Sequence, residues 1–200
     1  MIIEVEAKLK LADPDALVGR LEELDAVLDR RFVETSTYYD RDEGDLKTSD
    51  QGLRVRVEVD DAGGATHAVM THKGPRAHGR LKSRAETEVG VADARGAAQL
   101  LSALGYHPVL SFEKHRSRYL LDGCRVEIDR LPHLGHYVEI EGGTEDDVEA
   151  VRQKLGFGDA PLIRASYIAM LTTFLREHQL SPTHVPLDAE VTDAEVSQEA

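Results

Sequence analysis

Charged and apolar residues alternate through the first eleven positions of the chain. Glu4, Glu6, Lys8 and Lys10 are two apart, and the intervening residues at 3, 5, 7, 9 and 11 are apolar. Successive side chains of a β-strand point to opposite faces, so this pattern predicts a strand with all four charges on one face. Two carboxylates about 7 Å apart on such a face, followed by ammonium groups, can hold a divalent cation and an anion side by side.

The same design recurs in six predicted strands, each with charges of both signs on one face and small or β-branched residues on the other. The cations in these patterns are Arg54, Arg56, Lys73, Lys82, Arg84, Lys114, Arg116, Arg118 and Arg125. The carboxylates are Glu4, Glu6, Glu86, Glu88, Glu127, Asp129, Glu139 and Glu141. One interpretation is an antiparallel sheet with one face in water. The other is a closed barrel of about eight strands with the charged face inside.

In the barrel interpretation, Val5, Ala7 and Leu9 face helices on the outside. Unpaired charges in a dry interior would be very costly, so the interior must hold water, metal ions and a polyanion. Basic side chains would neutralise phosphates, and carboxylates would hold divalent cations.

The composition limits the classes of function. The formal net charge of −13 argues against a simple nucleic-acid binder, which would usually be basic. Cys124 is the single cysteine, and its position in the pattern is on the apolar face. No leader is apparent and no apolar run reaches about 18 residues. We therefore expect a cytoplasmic protein with neither a nucleic acid nor a membrane as partner, and a homodimer is the one assembly left open.

Helices are predicted between the strands and near the end of the chain. Asp13 and Pro14 are typical of a helix start, and Asp93 is a second candidate cap. A last helix is predicted at about 165–178. Residues 179–200 are acidic, contain no Lys or Arg and lack a helical stripe. We expect one domain over residues 1–178 and a disordered acidic tail over 179–200.

The sequence EVEAK at residues 4–8 resembles the ExExK signature of the CYTH superfamily, the triphosphate tunnel metalloenzymes. The resemblance extends to TYYD at 37–40, LRVR at 53–56, KGP at 73–75, KSRAETE at 82–88, EKHRSRY at 113–119, the segment 128–135, VEIE at 138–141 and SY at 166–167. The segment 104–116 is most similar to the class IV (CyaB-type) adenylyl cyclases. The resemblance implies an α+β fold in which an eight-stranded antiparallel β-barrel forms a tunnel with a charged interior, flanked by helices.

The resemblance also implies a triphosphate substrate bound with Mg²⁺ or Mn²⁺. The expected metal ligands are Glu4, Glu6, Glu139 and Glu141. Secondary candidates are Glu86, Glu88 and Asp129, for which interior salt bridges are an equal alternative, as they are for Glu127. The expected triphosphate-binding residues are Lys8, Arg54, Arg56, Lys73, Arg84, Lys114, Arg116 and Arg118. Of these, Lys8, Arg54 and Lys114 are the candidate catalytic residues.

Two reactions fit such a tunnel. In class IV adenylyl cyclases the ribose 3′-hydroxyl of ATP attacks the α-phosphorus, giving cyclic AMP and pyrophosphate. In the triphosphatases, water attacks the terminal phosphorus of tripolyphosphate or thiamine triphosphate. A non-catalytic polyphosphate or nucleotide sensor is a third hypothesis, which the presence of Glu4, Glu6 and Glu139 disfavours. The resemblance favours the cyclase, and the sequence does not decide which phosphorus is attacked.

Overall fold

Eight antiparallel strands close into a barrel in the computed structural model, which describes residues 2–63, 66–77 and 79–189. The strands are β1 Ile2–Lys10, β2 Val27–Asp40, β3 Gly52–Asp60, β4 Thr66–Ala77, β5 Lys82–Gly90, β6 His107–Leu121, β7 Cys124–Leu131, β8 Gly135–Gly142 and the short β9 His184–Val185. The helices are α1 Pro14–Glu23, α2 Asp45–Thr48, α3 Ala94–Ala103, α4 Glu145–Lys154 and α5 Tyr167–Glu177.

The barrel closes where β2 pairs with β6. The order around it is β2-β3-β4-β5-β1-β8-β7-β6, and β6 returns to β2 over a register that runs from Val27 opposite Leu120 to Asp40 opposite His107. Every neighbouring pair in this ring is antiparallel. The prediction of an eight-stranded antiparallel barrel flanked by helices is therefore confirmed.

The apolar faces of the strands point outward, as the barrel interpretation predicts. Val5, Ala7 and Leu9 of β1 are buried in one cluster with residues of α1 and α4. The helical members of that cluster are Leu17, Leu21, Val148 and Val151. Because the main apolar core lies between the barrel and the helices, the lumen is left to the polar faces. Cys124 belongs to the same outer core.

The predicted caps explain where the helices begin. The carboxylate of Asp13 accepts a hydrogen bond from the backbone N–H of Ala16 at 2.9 Å, with Pro14 at the first helical position. Asp93 accepts one from Arg95 at 3.0 Å at the start of α3.

The short helix α2 has no counterpart in the sequence prediction. It is held by Asp40, whose carboxylate accepts hydrogen bonds from the backbone N–H groups of Arg41, Leu46 and Lys47 at 2.8–3.0 Å. Four residues are too few to show an apolar period, so the pattern could not indicate it.

Helix α5 packs against the barrel through an apolar cluster that also takes up the following segment. Tyr167, Leu171 and Leu175 lie with Phe112, and Val185 of β9 is buried in the same cluster. β9 pairs in parallel with β6, and the backbone N–H of Leu187 donates to Glu113 at 3.0 Å. The prediction of disorder beyond residue 178 is therefore wrong for 184–187, because its composition-based argument could not see this pairing. The rest of the predicted tail, 190–200, lies outside the described residues.

In the part of the chain that the structure describes, no helix is long and apolar enough to cross a membrane.

Candidate functional site: a charged tunnel

The lumen of the barrel is a cavity of about 1040 Å³ whose walls carry both signs of charge. Among the described residues that line it, fourteen are Lys or Arg and nine are Asp or Glu. The lining is thus richer in cations than in anions, although the whole chain has a net charge of −13. A polyanion would be attracted into this cavity despite the acidic exterior.

The structure places nearly all of the sequence-predicted site residues on the cavity wall. The predicted triphosphate-binding residues that line it are Lys8, Arg54, Arg56, Lys73, Arg84, Lys114, Arg116 and Arg118. The predicted metal ligands that line it are Glu4, Glu6, Glu86, Glu88, Glu139 and Glu141. The exception is Asp129, which is fully buried behind Arg116.

Strands β1, β7 and β8 form the side of the lumen that we call the acidic wall. Glu127, Glu139 and Glu141 each present a carboxylate oxygen, and these three oxygens lie within 4.8 Å of one another. The strand register sets Glu127 directly opposite Glu139. Like charges directly opposite each other destabilise a sheet, and here Arg116 contacts both carboxylates and offsets their repulsion.

The electrostatics of the acidic wall show how crowded it is. Burial, together with the nearby charges of Glu127 and Glu4, raises the pKa of Glu141 well above its usual value. Burial also opposes the ionisation of Glu139, but Lys8 and Arg116 outweigh it and hold the pKa of that carboxyl well below the usual value. One carboxyl of the group therefore favours its proton while its neighbour stays ionised.

Oxygen-only donors in this number fit a hard divalent cation such as Mg²⁺ or Mn²⁺. A cation at the three-carboxylate group would relieve the repulsion that raises the pKa of Glu141. Glu4 lies close enough to Glu141 to raise its pKa, and so adjoins the group. The carboxylate of Glu6 instead contacts two lysines, Lys82 at 2.7 Å and Lys8 at 3.3 Å.

Strands β3, β4 and β5 form the opposite side, which we call the basic wall. Within the described residues, Arg54, Arg56 and Arg84 each have a buried Nε that makes no hydrogen bond, although that of Arg56 lies 3.3 Å from a carboxylate oxygen of Glu58. A buried donor without a partner is costly and rare, and guanidinium groups bind phosphate well. These three arginines are thus suited to receive an anion.

Glu34 of β2 balances the cations beside the basic wall. Its carboxylate lies 3.5 Å from Arg54 and 3.6 Å from Lys114, and it accepts a hydrogen bond from Ser36 at 2.6 Å. Burial opposes its ionisation, but Lys114 and Arg54 outweigh burial and hold the pKa of Glu34 well below its usual value.

The three secondary metal candidates are all engaged in ion pairs. Glu86 lies 2.5 Å from the Nζ of Lys73. Glu88 accepts hydrogen bonds from Thr71 at 2.8 Å and from Arg56 at 3.3 Å. Asp129 accepts two from Arg116 at 2.5 and 2.6 Å. Glu127, Glu139 and Glu141 are ion-paired too, but among the described residues these three also form a carboxylate group, to which the secondary candidates do not belong.

A family model described as the CYTH domain matches residues 2–167. The chain belongs to the CYTH domain family. The family resemblance of the EVEAK segment and the ladders that follow it is therefore confirmed.

Known CYTH relatives cover most of the chain. The adenylate cyclase CyaB of Aeromonas hydrophila is 31% identical over 174 residues, which are 82% of this chain and 86% of the relative. A Methanocaldococcus jannaschii protein with a provisional adenylate cyclase name is 26% identical over 178 residues, 84% of this chain and 98% of that protein. The solved structure of the PH1819 protein from Pyrococcus horikoshii has a TM-score of 0.74 and 27% identity, covering 86% of this chain and 99% of its own.

Two features of this CYTH site exceed the sequence prediction. Glu127, treated there as much as a salt-bridge residue as a ligand, is a member of the three-carboxylate group. Tyr167, which was not among the predicted site residues, lies with its ring 4.0 Å from the Nζ of Lys8 and 5.3 Å from that of Lys114. The strand alternation places Glu127 in the lumen, but only the pairing of β7 with β8 brings it to Glu139.

Proposed function

We propose that this chain is a divalent-metal-dependent enzyme that binds a nucleoside triphosphate in its tunnel and acts as a class IV adenylyl cyclase. The observation that supports the proposal best is the opposition of two walls in one cavity. Three carboxylates lie within 4.8 Å on one side, and three arginines whose buried Nε donors make no hydrogen bond lie on the other. The cyclase name of the 31% identical Aeromonas relative favours ring closure over hydrolysis.

The chain's own residues divide the work between the two walls. Arg54, Arg84 and Lys114 bind the phosphate oxygens and stabilise the charge that develops on the departing pyrophosphate. Glu127, Glu139 and Glu141 would hold Mg²⁺ or Mn²⁺. Such a cation, when bound, lowers the pKa of a hydroxyl group and neutralises phosphate charge.

The reaction exchanges one phosphorus–oxygen bond for another. The ribose 3′-oxygen forms a bond to the α-phosphorus, and the bond between the α-phosphorus and the oxygen bridging to the β-phosphorus breaks. The hydroxyl proton leaves to water, and pyrophosphate leaves with the bridging oxygen. Removing solvent from the charged groups in a narrow lumen strengthens these interactions.

The test offers ATP, tripolyphosphate and thiamine triphosphate separately, each with Mn²⁺, and identifies the products. We expect cyclic AMP and pyrophosphate from ATP. Orthophosphate from tripolyphosphate with ATP left intact would overturn the cyclase proposal in favour of a triphosphatase. Tight binding of all three with no product would identify a sensor.

A further inference from the structure

Glu139 is held on both of its oxygens by cations embedded in the acidic wall. Its Oε1 lies 3.0 Å from the Nζ of Lys8, and its Oε2 lies 2.6 Å from the Nη2 of Arg116. The side chains of these two cations are 1% and 4% exposed. We propose that Lys8 and Arg116 are positioning residues that fix Glu139 in the carboxylate group and do not bind the triphosphate. This inference rests on the proposed function and assigns roles within the same site.

Lys8 makes one hydrogen bond, to the backbone of Ala165, and two ion pairs. Three oxygens surround its Nζ: the backbone carbonyl oxygen of Ala165 at 3.0 Å, Glu139 at 3.0 Å and Glu6 at 3.3 Å. An ammonium group has three N–H donors and no more. The ring of Tyr167 covers the group at 4.0 Å. A phosphate at Lys8 would therefore compete with Glu139 and Ala165 at 3.0 Å and with the more distant oxygen of Glu6 at 3.3 Å.

Arg116 is similarly committed. Its Nε donates to Asp129 at 2.6 Å, and its Nη2 donates to Asp129 at 2.5 Å and to Glu139 at 2.6 Å. Its Nη1 contacts Glu127. These contacts use four of the five donors of a guanidinium, so no paired set of donors is left for a phosphate. One buried group thereby ties together carboxylates from β7 and β8.

Lys114 gives the contrast that makes the assignment testable. It is as deeply buried as Lys8 and lies near the same Tyr167 ring, at 5.3 Å. Its Nζ is 3.6 Å from both Glu34 and Asp129, longer than a hydrogen bond. These carboxylates leave the donors of Lys114 available to a phosphate, whereas Lys8 has a backbone acceptor and a carboxylate oxygen at 3.0 Å.

The same contacts connect the C-terminal helix to the carboxylate group. Ala165 and Tyr167 both lie where α5 begins, and both contact Lys8. Seating of α5 against the barrel therefore orients Lys8, and Lys8 orients Glu139. Partners that orient metal-binding carboxylates in this way typically change metal affinity or activity about 10–100-fold when they are removed.

The test compares Lys8→Met with Lys114→Met in two binding experiments that need no turnover. The first is calorimetry with tripolyphosphate in EDTA. We expect Lys8→Met to stay within about threefold of wild type, since its charge acts only at a distance. Lys114→Met should bind about tenfold more weakly or worse, because it loses a charge-assisted hydrogen bond.

The second experiment is titration with Mn²⁺ alone, followed by electron paramagnetic resonance. We expect Lys8→Met to bind Mn²⁺ about 10–100-fold more weakly and Lys114→Met to bind it like wild type. Equal loss of tripolyphosphate binding in both variants would overturn the inference, since Lys8 would then be a phosphate ligand. Unchanged or tighter Mn²⁺ binding by Lys8→Met would also overturn it, since Lys8 would then only compete with the metal.

Arg116→Lys provides a second pair, with Arg130→Lys as its control, because Arg130 is partly exposed and pairs with Asp188 outside the carboxylate group. Both variants keep the charge and lose the planar fork. We expect Mn²⁺ binding to weaken in Arg116→Lys alone, and equal behaviour of the two would overturn the role of Arg116.

Should Lys8→Met fail to fold, Lys8→Arg carries the same comparison with the charge retained. A wild-type protein that binds Mn²⁺ but no triphosphate would overturn the proposed function, and the Mn²⁺ comparison would still decide the positioning role.

Discussion

The acidic wall and the basic wall arise from the same strand pattern but differ in how their charges are paired. In the acidic wall, Lys8 and Arg116 are each paired with at least two carboxylates, and the carboxylates still crowd one another. In the basic wall, arginines retain unpartnered Nε donors. The first arrangement suits a cation and the second suits an anion. The ion that a charged strand face can bind therefore depends on which charged side chains the neighbouring strands place beside it. Four substitutions test this difference between the walls.

The largest effect is expected from Arg54→Ala in the basic wall. Removing a preorganised donor to the transferring phosphates should lower kcat/KM about 10²–10³-fold. Steady-state kinetics with ATP and Mn²⁺ measures it. Arg80→Ala is the control, because Arg80 is exposed and pairs with Glu145 and Asp146. Similar small losses in both variants would show that the basic wall does not bind the substrate.

Glu34→Gln should destabilise the protein by about 3 kcal/mol, because removing one partner of a buried charge group leaves the others uncompensated. Lys114 and Arg54 would be those unbalanced cations. Urea denaturation measures the loss, and tripolyphosphate should raise the stability of this variant more than that of wild type. Glu23→Gln, in an exposed pair with Arg20, should change little. Stability equal to wild type would contradict the balancing role of Glu34.

Glu141→Gln should have the opposite sign and stabilise the metal-free protein near neutral pH, because burial, with the charges of Glu127 and Glu4, raises the pKa of Glu141. The raised pKa of Glu141 means that the folded protein binds more protons than the unfolded chain above the ordinary value of 4.5. The stability of the wild type therefore falls as pH rises through that window, whereas glutamine cannot titrate.

Thermal unfolding of both proteins in EDTA from pH 4 to pH 8 measures this difference, which should grow with pH. The variant should also lose the stabilisation that Mn²⁺ gives the wild type. A difference that is constant with pH would show that the pKa of Glu141 is not raised in the folded protein.

Glu88→Gln should have the smallest effect, a change in kcat/KM of less than about threefold, because partly exposed ion pairs contribute little. Glu88 is 44% exposed and pairs with Arg56. Its loss tests the secondary metal assignment by the same kinetic assay. A collapse of activity that extra Mn²⁺ restores would return Glu88 to the metal ligands.

The barrel was predictable because its signal is local and repeated. The alternation of charged and apolar residues in several strands identifies the faces that point inward. The resemblance to the CYTH family adds that the strands close into a barrel, which the alternation alone cannot show. The C-terminal segment was not predictable in the same way. Its composition is acidic and lacks a helical stripe, yet Val185 is buried and β9 pairs with β6. A pairing between segments about 70 residues apart has no local sequence pattern from which it could be predicted.

The candidate site likewise has a part that the sequence predicts and a part that it does not. Residue type and period place Glu127, Glu139 and Glu141 in the lumen, because side chains alternate strictly along a strand. Which carboxylates meet depends on strand register, which long-range pairing sets.

The sequence by itself thus determined the charged interior and the family, since both follow from the identity and spacing of the residues. Only the tertiary structure decided that Glu127 joins the carboxylate group, that Glu6 pairs with lysines and that Lys8 and Arg116 both pair with Glu139. The physical reason is that pairing energy between charges depends on distances of a few ångströms across strands. Those distances exist only after the barrel has closed.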